Sequence, residues 1–154
     1  MPDTTTALVH ATAVAVASRG VLILGASGAG KSDLALRLLT TPLQHQGHPV
    51  DVQLVSDDQV TVERMGARLF ASPPPTIAGK LEVRGLGILD FPFLARAQLR
   101  LAVALRGADR IERLPEPGET HTILGLDLPL VAIDGAKPGA PARLMLAALR
   151  SAKT

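Results

Sequence analysis

The sequence predicts a single α/β domain, and three observations lead there. At 154 residues, the chain has the size of one domain on the usual scale of roughly 100–200 residues each. Short apolar, β-branched runs alternate with two amphipathic stretches, the pattern of strands interleaved with helices. Hydrophobic residues make up 47% and charged residues 19%, enough for a packed core and too apolar for wholesale disorder. With aromatics at 2% and no Trp or Tyr, that core is built from Leu, Val, Ile and Ala.

Met1–Thr6 is polar and reads as a flexible end, which leaves residues 7–154 as the domain. Ala7–Ala17, rich in Val and Ala with His10 and Thr12 inside it, reads as one strand closed by a turn at Ser18-Arg19-Gly20. Val21–Leu24 is a continuous apolar run, as expected of a strand buried on both faces. A glycine-rich loop, Gly25–Lys31, follows. Ser32–Thr41 is helical by its spacing, with Leu34 and Leu38, and Ala35 and Leu39, four apart, and Pro42 stops it. Gln44–Pro49 reads as a loop and Val50–Val55 as a strand ending at Ser56-Asp57-Asp58, with Gln59–Glu63 extended beyond it.

Ala67–Phe70 is a further short strand, and Pro73-Pro74-Pro75 a stiff connector. Leu81–Val83 leads into Arg84-Gly85-Leu86-Gly87, where two glycines imply a bend or a close approach of backbone to ligand. Phe93–Ala97 is expected to form a helical turn and Gln98–Leu105 a strand. The charged segment Arg106–Thr122 reads as a surface loop, Leu130–Ile133 as the last strand and Pro141–Ala152 as the last helix.

Composition removes several classes of function. Single-stranded nucleic-acid binders stack bases on aromatic side chains, and only Phe70, Phe91 and Phe93 exist here. The net charge of +2 comes without any run of basic residues, so nonspecific DNA binding is not expected. The absence of Cys excludes disulfides and thiolate metal sites. Apolar runs end well short of the ~20 residues that a membrane span needs, and the N-terminus lacks the basic start of a signal peptide. The expectation is a cytoplasmic protein with no membrane partner.

The most informative stretch is Gly25-Ala26-Ser27-Gly28-Ala29-Gly30-Lys31-Ser32, which fits G-x-x-x-x-G-K-[ST] at every required position. Gly25 and Gly30 let the backbone curl so that successive N–H groups point at phosphate oxygens, and the helix that follows adds its positive end. Lys31 brings an ammonium to the β- and γ-phosphates, and Ser32 offers a hydroxyl to Mg²⁺. Nucleoside triphosphate binding follows, although the motif alone does not separate kinase from ATPase or sensor. The base-reading sequence Asn-Lys-x-Asp of G proteins is absent.

Phosphoryl transfer also needs a carboxylate beside the metal and a residue to deprotonate the acceptor. Asp57-Asp58 follows an apolar strand directly, where α/β folds place ligand-contacting groups. Adjacent residues there point different ways, so one can face Mg²⁺ and the other the acceptor. Taken alone, Glu82 reads as a surface residue, His10 as a hydrogen-bonded core histidine and Arg113 as a solvated side chain. His45, His48 and His121 have no metal-binding spacing.

Taken together, the ordered segments His10, GVLILGASGAGKSDLAL, GHPVDVQLVSDDQV, LEVRGLGIL and IERL resemble the catalytic domain of HPr kinase/phosphorylase, over nearly the whole chain. LEVRGLGI is the specific part, being almost identical to that family's signature. The resemblance implies a P-loop kinase domain related to phosphoenolpyruvate carboxykinase, with a central mixed sheet and flanking helices. It implies ATP and Mg²⁺ as cofactors and the phosphocarrier HPr, on a serine, as acceptor. By position, His10 matches the active-site histidine and Lys31 the essential loop lysine. Ser32 and Glu82 match the Mg²⁺ ligands, with Asp57 beside them. Asp58 matches the proton acceptor of the kinase reaction, which is the donor in reverse, and Arg113 an arginine needed for activity. Longer members carry an N-terminal domain and are hexamers. This chain looks like the short, catalytic-domain form, and a homo-oligomer is expected.

Where the family reads close to P-V-R-P-G-R-N, a loop tied to dephosphorylation, this chain has Ile133-Asp134-Gly135-Ala136-Lys137-Pro138-Gly139-Ala140-Pro141 and lacks the Arg-Asn. Two rivals remain from the residues alone. One is a small-molecule kinase on a P-loop scaffold; the other is a nucleotide-binding regulator that transfers nothing.

Overall fold

A computed structural model describes residues 5–116 and 118–151. In chain order the strands are β1 (Thr5–Val9), β2 (Thr12–Val16) and β3 (Arg19–Leu24), followed by helix α1 (Lys31–Thr40). A small hairpin, β4 (Leu43–His45) and β5 (His48–Val50), precedes β6 (Val52–Ser56), β7 (Val60–Met65) and β8 (Arg68–Ser72). Then come β9 (Lys80–Val83), β10 (Gly87–Asp90), β11 (Ala97–Leu105), β12 (Thr120–Ile123), β13 (Leu126–Ile133) and helix α2 (Ala140–Arg150). Single 3-10 turns occupy Pro75–Ile77 and Ala108–Arg110.

Nine strands form one mixed sheet in the order β1-β7-β8-β11-β3-β2-β6, with β13 also on β11 and β12 on β13. Strand β11 runs parallel to β3 and to β13, whereas β2 is antiparallel to both β3 and β6. The expected α/β class with a mixed central sheet is therefore what forms. The helices, however, lie on one face only. Leu34, Ala35 and Leu38 of α1 and Leu144, Met145 and Ala148 of α2 pack on Val14, Val16, Val21, Ile23, Leu54, Leu101 and Val103. The opposite face, with Ala11, Ala13, Ala15 and Leu22, is covered by Val60, Val62, Leu69 and Ala71, as the sheet curls over itself. The small alanines on β2 leave room for that curl.

Alternation decides which face each residue joins, and register shifts in the β2–β6 and β11–β3 ladders interrupt the regular pairing. Between Leu99 and Leu101 the β11–β3 register shifts, so Ala97 and Leu99 face the curled side while Leu101 and Val103 face the helices. The same long strand can thus pair with β8 through Ala97 and Gln98 and with β13 through Ala102–Leu105.

Several expected elements form differently. Ala7–Ala17 is not one strand: it breaks at His10-Ala11, so that β1 pairs with β7 while β2 enters the helix-covered sheet between β3 and β6. Thr5 and Thr6 are ladder partners of Arg64 and Glu63, so the ordered sheet starts before residue 7; Met1–Thr4 lie outside the described residues. The first turn is Ala17-Ser18, both at positive φ, and Arg19 and Gly20 already belong to β3. That is the two-residue connection whose twist suits a hairpin. Gln44–Pro49 forms the hairpin β4–β5 around Gln46-Gly47, and Leu124-Gly125 joins β12 to β13 in the same way. Phe93–Ala97 makes no helical turn, because Phe93 bridges to Leu54 and Ala97 starts β11.

At Gly20 the backbone of β3 lies close against β11. A Cβ there would lie 2.6 Å from the Gln98 carbonyl oxygen. Gly20→Ala is therefore expected to cost at least about 2 kcal/mol, read as a lower urea midpoint, because the backbone of β11 cannot yield as a side chain would.

Candidate functional site

The sheet brings the site together through strand direction. β3 and β6 are each antiparallel to β2, so they run parallel to one another, and their C-terminal ends share one edge with the start of β2. The glycine-rich loop leaves β3 at that edge, Asp57 and Asp58 leave β6 there, and His10-Ala11-Thr12 arrives at β2 there. This is the carboxyl-end position where open α/β sheets bind ligands.

The loop curls at Gly30 as expected and at Gly28 in place of Gly25, which is not at positive φ but lies close against Ala29. Gly28 and Gly30 adopt φ of 81° and 97°, a region that costs an L side chain strain, and α1 begins directly after Gly30. The first amides of α1 have no carbonyl within the helix to bond, so they and the helix dipole face the loop. Lys31 is buried, and its Nζ donates to the carbonyls of Gly25 (2.8 Å) and Ala26 (3.1 Å) across the mouth of the loop. Its cation is thus held by neutral acceptors, which an incoming phosphate oxygen would outcompete.

Behind the loop lies Asp57, also buried. Its Oδ1 accepts from Ser32 Oγ at 2.6 Å and from Thr12 Oγ1 at 3.0 Å, and its Oδ2 accepts from the Glu82 backbone N–H at 3.2 Å. One carboxylate therefore fastens α1, β2 and β9 together. Asp58 turns outward. Its φ of 67° places it at the centre of a three-residue turn closed by the Gln59 N–H on the Asp57 carbonyl at 2.7 Å. Its Oδ1 lies 2.8 Å from His10 Nε2, both side chains being more than half exposed.

A cavity of about 410 Å³ connects these parts, lined by Ser27–Gly28, Gly30–Asp33, Leu36, Asp58 and Glu82–Arg84. The structure so brings together the expected loop residues, Lys31, Ser32, Asp58 and Glu82, with Asp57 behind Ser32 and His10 on Asp58. Gly25, Ala26 and Ala29 shape the loop rather than line the cavity. Arg113 is not brought in: it is exposed on the segment between β11 and β12 and does not line this cavity. Among the described residues no cluster of three His, Cys, Asp or Glu forms a self-sufficient metal site. The hard oxygens of Ser32, Glu82 and Asp57 do fit a cation such as Mg²⁺, which takes few protein ligands and relies on substrate phosphates.

Two participants carry little signal in the sequence. Thr12 shares the strand face of Val14 and Val16, so a lone hydroxyl on a buried apolar face was the available signal. Arg84, in the turn after β9, places a cation at the cavity wall. A further link reaches outward: Arg37 on α1 donates to the Gly135 and Lys137 carbonyls at 2.6 Å each, tying the helix to the segment before α2.

Comparison with known proteins bears on the whole chain. Residues 4–153 match the family described as HPr Serine kinase C-terminal domain. The chain is 36% identical to HPr kinase/phosphorylase from Cupriavidus metallidurans, covering 92% of this chain and 44% of that protein. It is also 36% identical to the protein of that name from Bordetella petrii, covering 95% of this chain and 48% of the relative. It thus spans about half the length of the curated relatives it matches. Among solved structures, the Hpr(Ser) kinase/phosphatase from Coxiella burnetii superposes with a TM-score of 0.74 at 26% identity, covering 91% of this chain and 92% of that one.

Three donors depend on Asp57 for their partner. Asp57→Ala strands two hydroxyls and a backbone N–H, and a loss of about 2–3 kcal/mol is expected in chemical unfolding.

Proposed function

The chain belongs to the HPr Serine kinase C-terminal domain family, and from that membership we propose that it is an ATP-dependent protein serine kinase whose acceptor is HPr. The observation that carries this reading is that Asp58 and the glycine-rich loop line one cavity, so a base stands beside a triphosphate cradle. A binding module would need the loop alone.

In this reading the domain is of the P-loop type related to phosphoenolpyruvate carboxykinase. ATP lies with its phosphates along residues 25–32. Lys31 leaves the carbonyls of Gly25 and Ala26 for phosphate oxygens, and the first amides of α1 bind others. Ser32 and Glu82, with Asp57 behind them, would hold Mg²⁺, which supplies charge neutralisation at the phosphates. Asp58 takes the proton of the incoming serine hydroxyl as its oxygen bonds to the γ-phosphorus and the bond to the ADP oxygen breaks. His10 keeps the Asp58 carboxylate aimed. In reverse, a protonated Asp58 returns the proton. Phosphorylase activity, part of the names of the relatives, would use the same groups. Regulation of the bacterial phosphotransferase system, a cytoplasmic location and a homo-oligomer belong to the same proposal.

Incubation with labelled ATP and purified HPr tests it, the expected result being label on an HPr serine. Label on a small metabolite would make the chain a small-molecule kinase, and saturable binding without product would make it a regulator. Asp58→Asn should lower transfer by about 10²–10⁴-fold with circular dichroism unchanged; a wild-type rate would remove Asp58 from the chemistry. Arg113 has to approach from its exposed segment to act. If it does so as a charge-neutralising finger, Arg113→Ala loses about 10³–10⁵ in turnover with ATP affinity kept. A matching loss of affinity in titration would instead assign it to binding.

A further inference from the structure

Thr12 opens β2 with its side chain fully buried, on the face it shares with Val14 and Val16. A hydroxyl there is costly unless both its proton and a lone pair find partners. Both do, and the partners are two consecutive residues. Thr12 Oγ1 donates to Asp57 Oδ1 at 3.0 Å and accepts from the Asp58 N–H at 3.3 Å. One small group thus touches the side chain of the carboxylate behind Ser32 and the backbone of the carboxylate facing the acceptor.

We propose that Thr12 is a positioning residue that fixes the Asp58 carboxylate relative to Asp57 and the phosphate loop, a role that rests on the kinase reading above. The turn at Asp58 is spanned by a bond from Ser56 Oγ to the Gln59 carbonyl and is held further from outside. A residue at φ 67° inside a three-residue turn sits in a sparsely populated conformation and persists only when its surroundings over-determine it. The residues that bond Asp58 itself are His10, Ala11 and Thr12. His10 bonds the Asp58 carboxylate, the Ala11 N–H bonds the Asp58 carbonyl at 3.1 Å, and Thr12 bonds the Asp58 N–H. Each group of Asp58 that can bond is held by a different one of three successive residues. Thr12 alone also reaches Asp57 and, through its Oδ1, Ser32. It therefore sets the spacing between the base and the phosphate side of the cavity.

Two substitutions separate positioning from packing. Thr12→Val keeps the shape and the β-branch and removes both bonds; Thr12→Ser keeps both bonds and removes a methyl. The first readout uses the full chain without ATP or HPr: hydrogen exchange at the Asp58 amide, followed by NMR. Exchange about tenfold faster in Thr12→Val and within threefold of wild type in Thr12→Ser is expected from loss of one hydrogen bond. The second is phosphoryl transfer to HPr. Thr12→Val should lose about 10–100-fold in kcat with the KM for ATP within twofold, the scale of a small misplacement of a reacting group. Thr12→Ser should keep at least about a third of the rate, because the bonds survive.

Equal losses in Val and Ser, a wild-type kcat in Val, or an unchanged Asp58 exchange rate would each overturn the proposal. If Thr12→Val does not fold, the Ser variant decides: a kcat below about a tenth of wild type would assign Thr12 to packing. The two readings fail separately. A wild-type chain that labels no HPr but shows the exchange contrast keeps the Thr12 clamp and loses the kinase. Label on HPr with no exchange contrast loses the clamp alone.

Discussion

One buried carboxylate holds the site together. Asp57 accepts hydrogen bonds from Ser32 on α1, Thr12 on β2 and the Glu82 backbone at β9, three elements distant in sequence. Inside a protein such a group must be fully paired or it destabilises the fold. Here pairing is achieved only when the glycine-rich loop, β2 and the β9–β10 hairpin stand in one relative arrangement. The requirement that stabilises Asp57 therefore also shapes the cavity in front of it.

The strand directions make this possible. Because β2 is antiparallel to both of its neighbours, the loop after β3, the turn after β6 and the approach to β2 meet at the same edge. One face of the sheet is closed by both helices and the other by the sheet's own curl, and at this edge between the two layers Asp58 reaches solvent. The neighbouring Asp57 does not. Adjacent residues of the same type thus serve opposite purposes, one buried and threefold bonded, the other exposed and held from behind by the segment that leads into β2.

What the sequence revealed follows from how local each signal is. Gly25–Ser32 was legible because a glycine-rich turn, a lysine and a hydroxyl in fixed succession specify their own geometry. The strand ending at Asp57-Asp58 was legible from its apolar run. The break at His10-Ala11 was not, since nothing in Ala7–Ala17 interrupts the β-favouring composition; only pairing of β1 with β7 reveals it. The hairpin at Gln46-Gly47 is hidden in the sequence because it lacks the Asn-Gly or Asp-Gly that marks such turns. One-sided helix packing is a property of the curled sheet as a whole. Thr12 became visible only when its two partners, dozens of positions away, were seen beside it. Arg113, assigned through family likeness, remains apart from the cavity.

The two-residue turn at Ala17-Ser18 carries a burden its surface position would not suggest. It fixes which residues of β2 face the helices, and a slip of one position along that ladder would send every side chain of the strand to the opposite side. Thr12 would then point into the alanine-lined layer. Across evolutionary time, insertions and deletions should accordingly be purged from this turn while the peripheral one at Gln46-Gly47 drifts freely in length. Related chains aligned without gaps at the former and with many at the latter would carry the trace of that selection.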